Sequence, residues 1–194
     1  MWRTRCGGFT LIEVLLAVTM AAMAGSVLLL GLHSSLQATD EALEQTIAAG
    51  MAQQLLDEAI GNLYCEPGTT GYGTVLGPTS WESQGTGRQR YNDIDDYNGV
   101  RSEPPKDAWE VALGTDDGNG GQRHPAFRAP AGIFDHWRQE IDVYYVSETN
   151  PGTKVPPGHI DYRAVEVRII DDDPARGPRQ LVQRRRVVAY VPTL

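Results

Sequence analysis

Apolar residues run almost unbroken from Phe9 to Leu32, thin into a stripe, give way to a Gly-rich tract, and return in alternation near the C-terminus. The first run would span roughly 36 Å as a helix, enough for the ~30 Å hydrocarbon core of a bilayer. Its one ionisable residue is Glu13. A carboxylate at that depth is costly without a partner, so by default it marks function. From His33 the pattern turns amphipathic. Leu36, Leu43, Ile47, Met51, Leu55 and Ala59 fall mostly at four-residue steps, and Ala48, Ala52, Leu56 and Ile60 widen the stripe. Asp40, Glu41, Glu44, Gln45, Gln53, Asp57 and Glu58 fill the other face. One helix is predicted from Phe9 to about Leu63, roughly 80 Å long. Its second half is expected to carry a soluble head. Gly61 and then Pro67-Gly68 end it.

Residues 66–135 hold over half of the chain's 21 Gly, with clusters of Thr, Asp, Asn and Pro. They read as turns and loops with short strands, and Trp81 and Trp109 are expected to anchor them to a core. The last third alternates. Ile141, Val143 and Tyr145 share one face within Glu140–Val146; Val165, Val167 and Ile169 share one within Arg163–Ile170. Leu181–Val191 is a third strand, carrying the run Arg184-Arg185-Arg186. That run reads as a solvated strand end or as a docking patch for an acidic neighbour. The fold class is α+β: a long N-terminal helix packed against a C-terminal antiparallel sheet.

The N-terminus gives the sharpest signal. A short leader with Arg3 and Arg5 and no acid precedes Gly7-Gly8-Phe9-Thr10-Leu11-Ile12-Glu13-Val14 and the apolar run. This layout resembles the type IV prepilin signal shared by type IV pilins and type II secretion pseudopilins. The resemblance covers about residues 3–32. It implies cleavage by a prepilin peptidase between Gly8 and Phe9, N-methylation of Phe9, and assembly guided by Glu13 as the fifth mature residue. It also implies other pilin or pseudopilin subunits and an inner-membrane assembly platform as partners. The chain would be a single-pass protein of the inner (cytoplasmic) membrane with its head outside the cytoplasm, then part of a periplasmic or surface fibre. The expected organisation is a leader over 1–8, a membrane span over 9–32, an amphipathic continuation over 33–64 and a head over 65–194. Ala17, Ala21 and Gly25 recur every four residues, a stripe that admits another helix closely; an Ala-rich composition alone would also give it. The rival reading of residues 1–24 is a secretory signal ending at Ala22-Met23-Ala24. Glu13 inside its apolar region, apolar residues continuing past the cut, and an unexplained Gly8-Phe9 weigh against it.

Net charge is −8, and loss of Arg3 and Arg5 with the leader takes the side-chain sum to −10. Nucleic acid is thereby disfavoured as main partner, since phosphate binding needs a basic surface. Of two cysteines, Cys6 would leave with the leader and Cys65 would stay free, as a half-buried residue or a link between chains. No H-E-x-x-H, G-x-S-x-G, Walker loop or C-x-x-C is present, and His33, His124, His136 and His159 lack metal-ligand spacing. No catalytic residues and no cofactor are assigned. Asp93, Asp95 and Asp96 in Tyr91–Gly99 are weak calcium candidates, because Tyr97 stands where a fifth-position ligand belongs; solvated Asx turns are the competing account. The run Asp93–Gly99 also resembles a stretch of minor pilins of the mannose-sensitive haemagglutinin type. The expected function is a structural fibre subunit, a minor pilin or pseudopilin rather than an enzyme. The alternative is a membrane-tethered binding or enzymatic domain.

Overall fold

The computed structural model describes residues 10–73, 75–114, 116–125, 128–130 and 132–191. One α-helix, α1 (Leu11–Ile60), is followed by two 3-10 turns, Glu82–Gln84 and Asp95–Tyr97, and four strands. These are β1 (Val100–Ser102), β2 (Trp137–Tyr145), β3 (Tyr162–Asp171) and β4 (Arg179–Ala189). They form one antiparallel sheet in the order β1-β2-β3-β4. The chain divides into two compact units, residues 1–44 and 45–194.

In the second unit the last turns of α1 pack on the sheet. Ala48, Ala52 and Ala59 are fully buried, and Met51, Leu55 and Leu56 nearly so. Small residues at four-residue steps let the helix backbone approach the sheet, and the larger side chains fill the space alongside. The sheet answers with Ile141, Val143, Val165, Val167 and Ile169. Register explains their coincidence: Ile141 pairs with Val167, Val143 with Val165, and Gln139 with Ile169, so all share a face. Phe134, Trp137, Ile94 and Tyr97 close the core.

Three expectations need correction. Leu36 and Leu43, assigned to the stripe that carries the head, are exposed, and burial on α1 begins only around Ile47 and Ala48. Trp81 and Trp109 do not anchor the loops; they are 60% and 64% exposed. The loop tract turns Glu82 inward beside Trp81, while the Arg90 guanidinium stacks 4.9 Å from the Trp81 ring. Trp109 stands on a turn in which Asp107 Oδ1 accepts from the amides of Trp109 (2.9 Å) and Val111 (3.0 Å). The aromatic core places belong instead to Phe134, Trp137 and Tyr97. Third, the Arg run lies in the middle of β4 rather than at its end, because β4 begins at Arg179 and runs past a bulge at Leu181 to Ala189.

Leu55→Ala should destabilise the full chain in detergent micelles by about 2–5 kcal/mol, because it opens a cavity between helix and sheet. Leu36→Ala should change it by less than about 0.5 kcal/mol, as expected of an exposed site. Denaturant titration of both variants checks the boundary of the buried stripe.

Candidate functional site

Two regions hold the candidate chemistry. In the first unit α1 starts after Thr10, whose hydroxyl accepts from the Glu13 amide at 3.4 Å. Thr10-x-x-Glu13 has the spacing of a capping box, but only its Thr10 half forms. The Glu13 carboxylate has no hydrogen-bond or ion-pair partner among the described residues and is exposed. Leu11, Ile12, Leu15, Leu16, Val18, and Val27 through Leu30 are all more than half exposed. The helix is long and apolar enough to cross a membrane. Ala17 and Ala21 are exposed, and a Cβ placed on Gly25 would meet nothing within 4 Å. The small-residue stripe is thus open to a neighbour. Gly8 and Phe9 lie outside the described residues.

In the head the organising side chain is Arg163, fully buried at the start of β3. Its guanidinium donates to Asp95 Oδ1 (2.6 Å), the Tyr64 carbonyl (2.6 Å), the Gly71 carbonyl (2.9 Å) and the Tyr145 hydroxyl (2.7 Å). It also stacks 4.3 Å from the Tyr64 ring and 4.8 Å from the Tyr145 ring. Gly71 can approach because it lacks a side chain: a Cβ there would lie 2.8 Å from the Tyr190 ring. Burial raises the Asp95 carboxyl pKa, and the facing guanidinium limits the rise. Arginine keeps its charge in proteins, so Asp95 faces a permanent cation.

A second ion pair ties the loops to α1. Arg88 donates to Glu58 through Nε (2.8 Å) and Nη2 (3.0 Å), and Tyr97 donates to Glu58 Oε1 at 3.1 Å. Gly87 makes this possible. At φ +60°, with the Ala108 carbonyl 2.6 Å from any added Cβ, only glycine fits, and the next amide then bonds that carbonyl at 2.8 Å.

The three calcium candidates take three different jobs. Asp95 pairs with Arg163. Asp93 Oδ1 accepts from the amides of Asp95 (2.7 Å) and Asp96 (3.2 Å), closing the 3-10 turn. Asp96 Oδ2 accepts from the amides of Asn92 (2.9 Å) and Asp93 (3.3 Å). Beside them Glu82 accepts from the Thr79 amide (2.7 Å) and hydroxyl (2.6 Å) and from Asn92 Nδ2 (2.8 Å). Burial opposes its ionisation, yet these bonds from Thr79, with those to Asp96 and Glu66, hold its pKa below the usual range. Burial pushes Asp96 up to about 6. Glu82 and Asp96 thus lie on neighbouring turns, with Asn92 bridging them: its side chain donates to Glu82 and its amide to Asp96. Among the described residues no group of three His, Cys, Asp or Glu side chains is arranged to hold a metal ion. Cys65 is free and half-buried.

Sequence reasoning missed Arg163, Glu58–Arg88 and Glu82. For Arg163 a signal existed: it stands in phase with Val165, Val167 and Ile169, and an inward charge demands a partner. Glu82 follows Thr79 at capping-box spacing, but nothing local shows that it turns inward. Glu58 and Arg88 are joined only by the fold. No family model, no curated protein and no solved structure matches the chain.

Arg163→Met should cost about 3–5 kcal/mol by leaving Asp95 buried and unpaired, and adding Asp95→Asn should recover part of the loss; a double-mutant cycle measures the coupling. Asp96 gives a pH test. Its pKa is about 6 folded and near 3.9 unfolded, so the folded state binds the proton more tightly. The stability it contributes is present at low pH and lost as pH rises through about 6. Asp95, pushed up to about 7, acts in the same direction, so melting temperature should fall between about pH 4 and pH 7, and Asp96→Asn should remove the lower-pH part of that slope.

Proposed function

We propose that this chain is a structural subunit of a type IV pilus-like or type II secretion fibre, in the position of a minor pilin or pseudopilin. The observation that carries the reading is the N-terminal helix: apolar, exposed along its first half, and bearing one carboxylate one turn after Gly8-Phe9. A helix with so much bare apolar surface needs lipid or other helices around it. A single acid within it needs a cationic partner, and cleavage after Gly8 would create one, the α-amino group of Phe9. Methylation of that group keeps its charge. Glu13 is four residues on from that new N-terminus, a spacing of about one helical turn. In a fibre it would meet the N-terminus of a neighbouring subunit and set the axial register of each incoming chain. Ala17, Ala21 and Gly25 would let those helices pack closely.

In this reading the leader stays in the cytoplasm, as its two arginines favour, and the acidic head crosses the membrane. Prepilin peptidase, the inner-membrane assembly platform and other pilin-like subunits are the partners. The head's inventory supports a structural role. Among the described residues, Arg163–Asp95 and Arg88–Glu58 hold loops to the sheet and to α1, and Glu82 and Asp96 accept from loop amides.

Two experiments test this. Gly8→Leu should leave the full-length precursor in the membrane, while the wild-type chain should begin at a methylated Phe9 by mass spectrometry. A mature start at Gly25 would sink the reading in favour of a secretory signal. Glu13→Val should be inserted and cleaved normally, accumulate as processed monomer, and be depleted from fibres. Normal incorporation of that variant would show that Glu13 does not guide assembly.

A further inference from the structure

Among the described residues the free cations are few and unevenly placed. Every described Lys and Arg engages a carboxylate, a carbonyl, a hydroxyl or an aromatic ring except Arg184 and Arg186. Both are exposed. Register places them unexpectedly. Arg184 pairs with Val167 and Arg186 with Val165, so both stand on the face of the sheet that forms the core. On that face β4 reads Val182, Arg184, Arg186, Val188, with the two valines partly buried against the core. Arg185, on the other face, bonds the Tyr144 hydroxyl at 3.0 Å and the Pro151 carbonyl. The core-side face of β4 is therefore a shelf with apolar ends and two unpaired cations at its middle.

α1 carries a segment of complementary character. Leu36, Asp40 and Leu43 share a helix face at steps of four and three, with Glu41 beside them. Leu36 and Leu43 are 66% and 54% exposed. Asp40 and Glu41 are exposed and have no partner among the described residues. The pattern is apolar, acidic, apolar, against apolar, basic, basic, apolar. Strand-edge pairing of β4 with its own copy is opposed, because it would crowd six guanidinium groups along one seam.

We infer that the Arg184–Arg186 shelf of β4 is a docking surface for the Leu36–Leu43 segment of α1 from a second copy of this chain. The contact rests on the fibre reading, since it supplies a head-to-helix contact between subunits. It would orient the incoming head while buried apolar ends contribute the hydrophobic share of the contact.

The test uses full-length chains carrying two different tags, co-expressed in the membrane, with capture of one copy by the other as readout. Arg184→Glu with Arg186→Glu in both copies should lower capture about tenfold, and Asp40→Lys with Glu41→Lys in both should do the same. Mixing one copy of each reversed type should restore capture, because each then presents the charge that the other lost. That restoration also shows that both variants are folded. Undiminished capture by the reversed pairs, or failure of the mixed pair to recover, overturns the inference. Mass spectrometry of the N-terminus in the same preparations reads the fibre assignment separately: a correctly processed chain whose reversed variants still capture each other overturns the docking contact alone.

Discussion

A guanidinium sealed inside a protein is a demand that the surrounding chain must meet, and Arg163 imposes that demand on the head. It is fully buried at the first turn of the central sheet's third strand. Removing such a group from water costs several kcal/mol, which only dense pairing offsets. The pairing comes from three segments far apart in sequence: the carbonyls of Tyr64 and Gly71, the carboxylate of Asp95 and the hydroxyl of Tyr145. The segment after α1 and the acidic turn are thereby held against the sheet, although neither contributes a long regular element. A loop tract this long keeps its shape because its carbonyls have a fixed charge to close around.

The same economy recurs elsewhere in the head. Arg88 and Glu58 join a loop to the helix, and the Tyr97 hydroxyl joins the pair. Glu82 and Asp96 are each held by loop donors, Glu82 by Thr79 and Asn92 and Asp96 by the amides of Asn92 and Asp93. The core of small aliphatic residues between α1 and the sheet is compact but modest. Polar closure of the loops supplements it, and no disulfide is needed within the described residues.

The regular elements were largely legible. The 3.6-residue stripe on α1 and the two-residue alternation of β2 and β3 are local signals, and both survive in the fold with shifts of a few residues. Where the stripe begins to be buried was not legible. Leu36 and Leu43 keep the same spacing as Leu55, and only the reach of the sheet separates buried from exposed positions. The two tryptophans misled for a related reason. Aromatic size favours burial on average, but an Asx turn at Asp107 and an inward Glu82 fix the local backbone so that Trp109 and Trp81 face out. Within the acidic run, composition suggested one site for Asp93, Asp95 and Asp96. Backbone geometry sends each carboxylate to a different partner, which no spacing rule encodes. Arg163 was legible in principle, as the charged member of an otherwise apolar face.

The side of the sheet turned away from α1 carries a lattice of its own. Arg101, Arg138 and Arg168 interleave with Glu140, Asp142, Glu166 and Asp172, and Glu140 is bound by all three arginines. Its charges are nearly balanced and mutually engaged, so this skin offers little for a passing ion or macromolecule to grip. Because the cost of dehydrating charges declines on heating, such a lattice tightens where isolated surface pairs do not. The outward face of the head therefore behaves as an electrostatically quiet, heat-tolerant coat.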